Sequence, residues 1–276
     1  MKSLQKSSLL LFSLITSVLP VHATSVVCIR TPDSIAIAAD SMLAARWGAP
    51  IGNRPRECKI IGVGGIYFSM SGFVGDPARN FDAARLVAGA LGRLVPPQDP
   101  AAVVSEEVIK GLADELRRLK GGSPELYRKL NGQKGPQLKV LLAMFDGPAP
   151  RVVQLGFNQA VSPMGEITVT AERESCPGEC DPGRINMFIL GDRRPIDAYL
   201  NSGKADWKSP EMAAKTMVEK VIAAGTPDVG PPVDVLLMGV DGARWVEKKD
   251  GCRELTSPAP SPTRGEGWRK TSSPSL

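Results

Sequence analysis

Two apolar runs near the start of the chain, Thr24 to Arg30 and Ile35 to Ala39, constrain its fold most. Each is apolar at nearly every position rather than at every second one, which is the pattern of a strand covered on both faces. Thr31-Pro32-Asp33-Ser34 between them is a turn signal, so the two read as a hairpin. On a period of two, Thr24, Val26, Cys28 and Arg30 share one face, while Ser25, Val27 and Ile29 share the other. The rest of the chain must therefore supply two covers.

Later segments supply them in groups. Cys58 to Val63 and Ile66 to Ser71 read as short strands split by the turn pair Gly64-Gly65. Asp76-Pro77 and Asp99-Pro100 each give an N-cap with proline in the first turn. After them, Phe81, Ala84, Ala88 and Leu91, then Val104, Val108, Leu112, Leu116 and Leu119, recur at helical spacing. A short third helix fits Ser123 to Leu130. Strands return at Leu138 to Phe145, Val152 to Phe157, Ile167 to Ala171 and Ile185 to Leu190. Helices fit Pro195 to Leu200 and the stretch opened by Ser209-Pro210, and Val233 to Gly239 with Arg244 to Lys248 close the ordered part. This grouping suits an α+β sandwich, two sheets packed together with helix pairs outside. A doubly wound parallel sheet would alternate strand and helix singly.

Residues 1–23 have the form of a signal peptide. Lys2 and Lys6 precede an apolar run from Leu9 to Leu19, and Val21-His22-Ala23 ends in small residues at the cleavage positions. The run is too short to span a bilayer comfortably, and no later one approaches that length. The expected product is soluble and exported, periplasmic or secreted, with no stable membrane anchor after cleavage. Residues 24–254 form the expected single domain, and the Pro/Ser-rich stretch 255–276 an expected disordered tail. Without leader and tail the charge is close to neutral, and aromatic residues make up 5% of the chain. Nucleic acid is therefore not an expected partner.

All five cysteines, Cys28, Cys58, Cys176, Cys180 and Cys252, lie after the leader, where an exported protein meets oxidising conditions. Cys176 and Cys180 flank a turn-rich Pro-Gly-Glu and suit a small local disulfide better than a zinc site, since no histidine ligands accompany them. The odd count leaves at least one thiol over. The only histidine is His22, in the leader. The exported chain thus cannot build a Ser-His-Asp triad, a Cys-His pair or an HExxH metal site.

Cleavage after Ala23 makes Thr24 the first residue, which places a hydroxyl nucleophile and a free α-amine on one carbon framework. Asp40, Lys59 and Gly72 each fall at a predicted strand end, where neighbouring strands can bring them beside Thr24. An α-amine titrates at about 7.7–8.0, and a nearby ammonium lowers that value. The amine can then accept the threonine proton near neutral pH. Asp40 would hold Lys59 in place, and a backbone N–H at Gly72 would face a tetrahedral oxyanion.

Thr-Ser-Val-Val at the processed terminus, Ile-Ala-Ile-Ala-Ala-Asp-Ser, Cys-Lys-Ile-Ile and Met-Ser-Gly-Phe-Val-Gly-Asp resemble the opening motifs of proteasome β-type subunits, within the N-terminal nucleophile (Ntn) hydrolases. Val-Asp-Val-Leu-Leu-Met-Gly-Val-Asp-Gly is similar to that family's closing strands. The resemblance implies a four-layer αββα sandwich, Thr24 as nucleophile, Asp40 and Lys59 as its polar supports, and the Gly72 N–H as oxyanion donor. Asp228 is the candidate supporting acid. It also implies a threonine endopeptidase-like activity on a peptide or small amide, no cofactor and no metal, and by analogy a homo-oligomeric ring. Two alternatives stand beside it. One is a non-peptide amidase or acylase with the same site; the other is an inactive scaffold, since Leu190-Gly191-Asp192-Arg193 and Thr226-Pro227-Asp228-Val229-Gly230 lack the family's supporting serines.

Overall fold

The computed structural model describes residues 24–42, 58–75, 81–207, 209–250 and 252. The leader, residues 43–57, the helix start at Asp76-Pro77 and the tail lie outside the described residues. The chain runs β1 (Val26–Arg30), β2 (Ile35–Asp40), β3 (Ile61–Val63) and β4 (Ile66–Gly72), then α1 (Ala83–Gly92), α2 (Pro100–Gly122) and α3 (Pro124–Asn131). β5 (Leu138–Asp146), β6 (Ala149–Val161), β7 (Ile167–Cys176) and β8 (Asn186–Leu190) follow. α4 (Arg194–Asn201), α5 (Pro210–Ala223), β9 (Val233–Gly239) and β10 (Gly242–Glu247) complete it. The fold is α+β, with two antiparallel sheets ordered β10-β9-β2-β1-β8 and β3-β4-β5-β6-β7.

Local chemistry sets the turns. In the β1–β2 hairpin, Thr31 Oγ1 accepts from the Ser34 N–H at 2.9 Å, and the Thr31 N–H donates to the Ser34 carbonyl at 2.9 Å. Between β3 and β4, Gly64 and Gly65 take φ of 57° and 82°, the two positive values that a two-residue hairpin turn requires.

The two-sided burial foreseen for the first hairpin is present, and every residue of β1 and β2 is buried. Val27, Ile29 and Ala38 pack with Ala213, Ala214, Met217, Val218 and Val221 of α5. Val26, Cys28, Ile35, Ile37 and Ala39 turn the other way, onto Tyr67, Leu141, Ala143 and Val152 of the second sheet. The opposite face of that sheet, with Phe68, Val140, Leu142, Val153 and Phe157, meets α1, α2 and α3 through Val87, Leu91, Val104, Val108, Leu112 and Leu130. Three helices, rather than a pair, thus cover this side.

Two expected boundaries need correction. Phe81 precedes α1 instead of lying within it: the cap is Asp82, whose side chain accepts from the Arg85 N–H, and the Phe81 ring stacks on Phe73 with centroids 5.3 Å apart. β6 and β7 run further than their apolar stretches, because they pair without interruption from Val152↔Cys176 to Val161↔Ile167. Backbone pairing carries such a ladder through polar residues like Glu172 and Glu174.

Asp99 caps α2 in position but spends its carboxylate elsewhere. Oδ2 accepts from Arg173 at 2.6 Å and Oδ1 from Arg151 at 3.0 Å, fastening the helix start to β7 and β6. Partial burial would raise its pKa, but the Arg173 hydrogen bond and the charges of Arg173 and Arg151 outweigh burial and leave it lowered. A carboxylate lowered in the folded state adds stability above its unfolded pKa, about 3.9, and loses it as pH falls through the folded value. Asp99→Asn should therefore unfold at lower urea than the parent at pH 7. That gap should close in acid, below both values.

Cys28 is the one free cysteine, and burial pushes its thiol well above the usual range. Alkylation of the folded protein should label no thiol, and alkylation after denaturation without reductant should label one, at Cys28. A second labelled site would contradict the disulfide pairing.

Candidate functional site

The sheet pair is fastened differently at its two ends. Arg30, the last residue of β1, is 2% exposed and donates from Nε to the Pro150 carbonyl at 3.1 Å and from Nη1 to the Pro182 carbonyl at 2.6 Å. At the other end of β1 lie Thr24 and Ser25, both buried. Strand alternation puts Thr24 on the face of Val26 and Cys28, towards the second sheet. On β4, Ser69 follows Tyr67 on its inward face, opposite Leu141, and Ser71 comes next. The Ser69 hydroxyl is buried without a hydrogen-bond partner.

Asp40 organises this end. Its carboxylate is fully buried, and each oxygen takes two donors. Oδ1 accepts from the Ser25 N–H at 2.8 Å and from Lys59 Nζ at 2.7 Å. Oδ2 accepts from the Gly230 N–H at 3.1 Å and the Met42 N–H at 3.2 Å. The surroundings are those an anion needs, because a buried charge is tolerated only when paired and hydrogen-bonded. The Lys59 side chain is itself only 9% exposed. It stands two residues before β3, and not within the strand as its sequence suggests.

Three of the residues singled out from sequence are therefore gathered. The Asp40 N–H donates to the Ser25 carbonyl at 3.1 Å, so Ser25 lies across from Asp40 and carries Thr24 with it. Gly72 ends β4 with φ of 96°, and a side chain there would overlap the Gln137 carbonyl oxygen. That is a backbone requirement, distinct from the oxyanion role expected of its N–H. Asp228 lies half-buried in the turn before β9 with φ of 65°. From this turn the Gly230 N–H reaches Asp40. Cys176 and Cys180 are joined in a disulfide, with Cα atoms 5.2 Å apart.

Sequence reasoning missed several neighbours. Gly191, with φ of 100°, follows β8 so closely against Thr24 that a side chain would overlap the Thr24 carbonyl oxygen. Asp234 of β9, fully buried, accepts from Lys249 Nζ at 2.7 Å, from the Lys249 N–H at 2.8 Å and from Ser41 Oγ at 3.1 Å. Lys249 Nζ also donates to Ser41 Oγ at 2.7 Å. Cys58 and Cys252 form a second disulfide beside this cluster, with Cα atoms 5.4 Å apart. Their only advance signal was an acid inside an apolar strand, Val-Asp-Val, which has to find a partner.

Among the described residues, one group has metal-compatible donors, Cys58, Asp234 and Cys252, whose ligand atoms lie within 4.8 Å of one another. It does not suit a cation here, since the sulfurs are bonded together and the Lys249 ammonium already occupies Asp234. An open hollow of about 630 Å³ beside β8 is lined by Ile185, Met187, Leu200, Gly203, Ala205 and Trp207. Among the described residues, it is lined by no titratable side chain and by none of the gathered residues.

Removing one partner of a buried ion pair costs about 3–5 kcal/mol when the other charge stays buried. Asp40→Ala should approach that loss, because it takes the carboxylate away from the Lys59 ammonium and from three N–H groups. Lys59→Met should cost less, because Asp40 keeps its backbone donors. Urea unfolding of the two variants checks the order.

No family model matches the chain, and no curated protein matches it.

Proposed function

We propose that the chain is an exported threonine-type amide hydrolase acting on peptides, with the four-layer αββα architecture of the Ntn hydrolases. One observation carries this reading. The buried Asp40 carboxylate binds both the Lys59 ammonium and the N–H of the residue that follows Thr24, and so brings a cation to the start of β1. Two disulfides among the described residues accord with an oxidising compartment, and the packing of sheet on sheet with helices outside accords with the layered fold.

In this reading removal of residues 1–23 frees the Thr24 amine. Thr24 Oγ attacks the substrate carbonyl while the amine takes the hydroxyl proton. The same proton passes to the leaving amine as the C–N bond breaks, leaving an ester on Thr24. Water, deprotonated by the Thr24 amine, hydrolyses that ester and restores the hydroxyl. Lys59 keeps the amine unprotonated near neutral pH by disfavouring a second positive charge, and Asp40 keeps Lys59 in place.

The protein recovered from the exported fraction should begin at Thr24 by intact mass. An epoxyketone, which bonds to both the hydroxyl and the amine of an N-terminal threonine, should add once, at Thr24. Thr24→Ala with the same processing should lose both labelling and amide hydrolysis, by at least about a thousandfold for a missing nucleophile. Unchanged hydrolysis in that variant would falsify the assignment.

A further inference from the structure

Lys59 is held by more than its carboxylate. Cys58 immediately precedes it and is bonded to Cys252, 194 residues away. Cys252 is buried and lies three positions after Lys249 in the sequence. Lys249 in turn grips Asp234 with both its ammonium and its N–H, and its ammonium also grips Ser41. Ser41 directly follows Asp40, and its own N–H donates to the Gly230 carbonyl at 3.1 Å, while the Gly230 N–H donates to Asp40. The loop of contacts is closed: disulfide, Lys249, Asp234, Ser41, Gly230, Asp40, Lys59 and back to Cys58.

We propose that the Cys58–Cys252 disulfide, with the Ser41–Asp234–Lys249 cluster beside it, is the positioning frame that keeps Lys59 on Asp40, so that the site is assembled only in the oxidised protein. The frame touches no substrate; it acts through Lys59, and its bearing on chemistry rests on the threonine reading. Opening it needs a two-electron reductant. A small dithiol gives up two electrons and two protons and ends as its cyclic disulfide, while Cys58 and Cys252 become thiols. The Cys176–Cys180 bridge shares no residue with this circuit, and it supplies an internal control.

The test uses processed full-length protein, its Cys58→Ser/Cys252→Ser variant and its Cys176→Ser/Cys180→Ser variant. Two quantities are read: the rate of Lys59 acetylation by an amine-reactive ester, from peptide masses, and the pH midpoint of epoxyketone addition at Thr24. In the first variant Lys59 acetylation should rise at least about tenfold, while the exposed Lys129 keeps its rate. The labelling midpoint should move up, towards the ordinary α-amine range of about 7.7–8.0. A purely structural staple would lower stability without moving that midpoint. The second variant should change neither quantity.

Should the first variant not fold, the parent is treated with graded dithiothreitol, and Lys59 acetylation is read in the fraction whose far-ultraviolet circular dichroism is intact. Lys59 that stays protected once the bridge is open, or a midpoint that stays put, overturns the proposal. Release of Lys59 in a protein whose Thr24 never labels, even when oxidised, supports the frame's hold on Lys59 and rejects the hydrolase reading instead.

Discussion

A carboxylate out of reach of water must be met by donors, and at Asp40 those donors come from separate parts of the chain. Ser25 precedes β1, Met42 follows β2, Gly230 precedes β9, and Lys59 leads into β3. The first three belong to one sheet and Lys59 to the other. The single ion pair therefore ties the two sheets together at this end, as the Arg30 guanidinium does at the opposite end through the Pro150 and Pro182 carbonyls. Between these ties the contact is largely apolar. Charged groups fix where the sheets stop, because an unpaired charge in the same place would cost several kcal/mol.

The two ties differ in what they leave over. Arg30 is spent on backbone carbonyls, and burial lowers its pKa without taking it out of the charged range. The Asp40 end has a surplus of polar groups. Thr24, Ser69 and Ser71 join it on the inner faces, and the Ser69 hydroxyl is buried with no partner. A stably folded interior seldom tolerates an unsatisfied hydroxyl without a reason. In this chain the asymmetry separates an end built to stay closed from one with unused hydrogen-bonding capacity.

How much of this was legible in the sequence follows from the range of each interaction. The grouping of strands and helices was readable because periodicity is local; Thr24 could be singled out because it follows the expected cleavage site, and Asp40 and Lys59 because each falls at a predicted strand end. The extension of β6 and β7 was not readable: an edge ladder is held by its neighbour's backbone, and exposed Glu172 and Glu174 look like loop residues. Phe81 was placed in α1 because its spacing to Ala84 and Ala88 is helical, whereas the cap bond is made by Asp82. Asp234, Lys249 and the Cys58–Cys252 pairing were least visible. Their partners lie far away in sequence, and five cysteines allow many pairings.

The same burial that organises the candidate site bears on the proposed cleavage before Thr24. Thr24 is 8% exposed and Ser25 1%, the Ser25 N–H is bonded to Asp40, and the Thr24 carbonyl lies against Gly191. Proteases cut extended, accessible segments, so hydrolysis of the bond before Thr24 in the folded domain would require β1 to leave its sheet. β1 is paired on both sides, with β2 and with β8, and such a central strand opens last. In the proposed reading, cleavage before the domain folds avoids that barrier, and removal of a leader during export would supply that order of events. In that reading, folding locks the Ser25 N–H, next to the freed terminus, against Asp40. For the proposed hydrolase, the hydroxyl and the amine would thereby be fixed in one geometry before any substrate arrives, and the entropy of orienting them would be spent in folding rather than in each turnover.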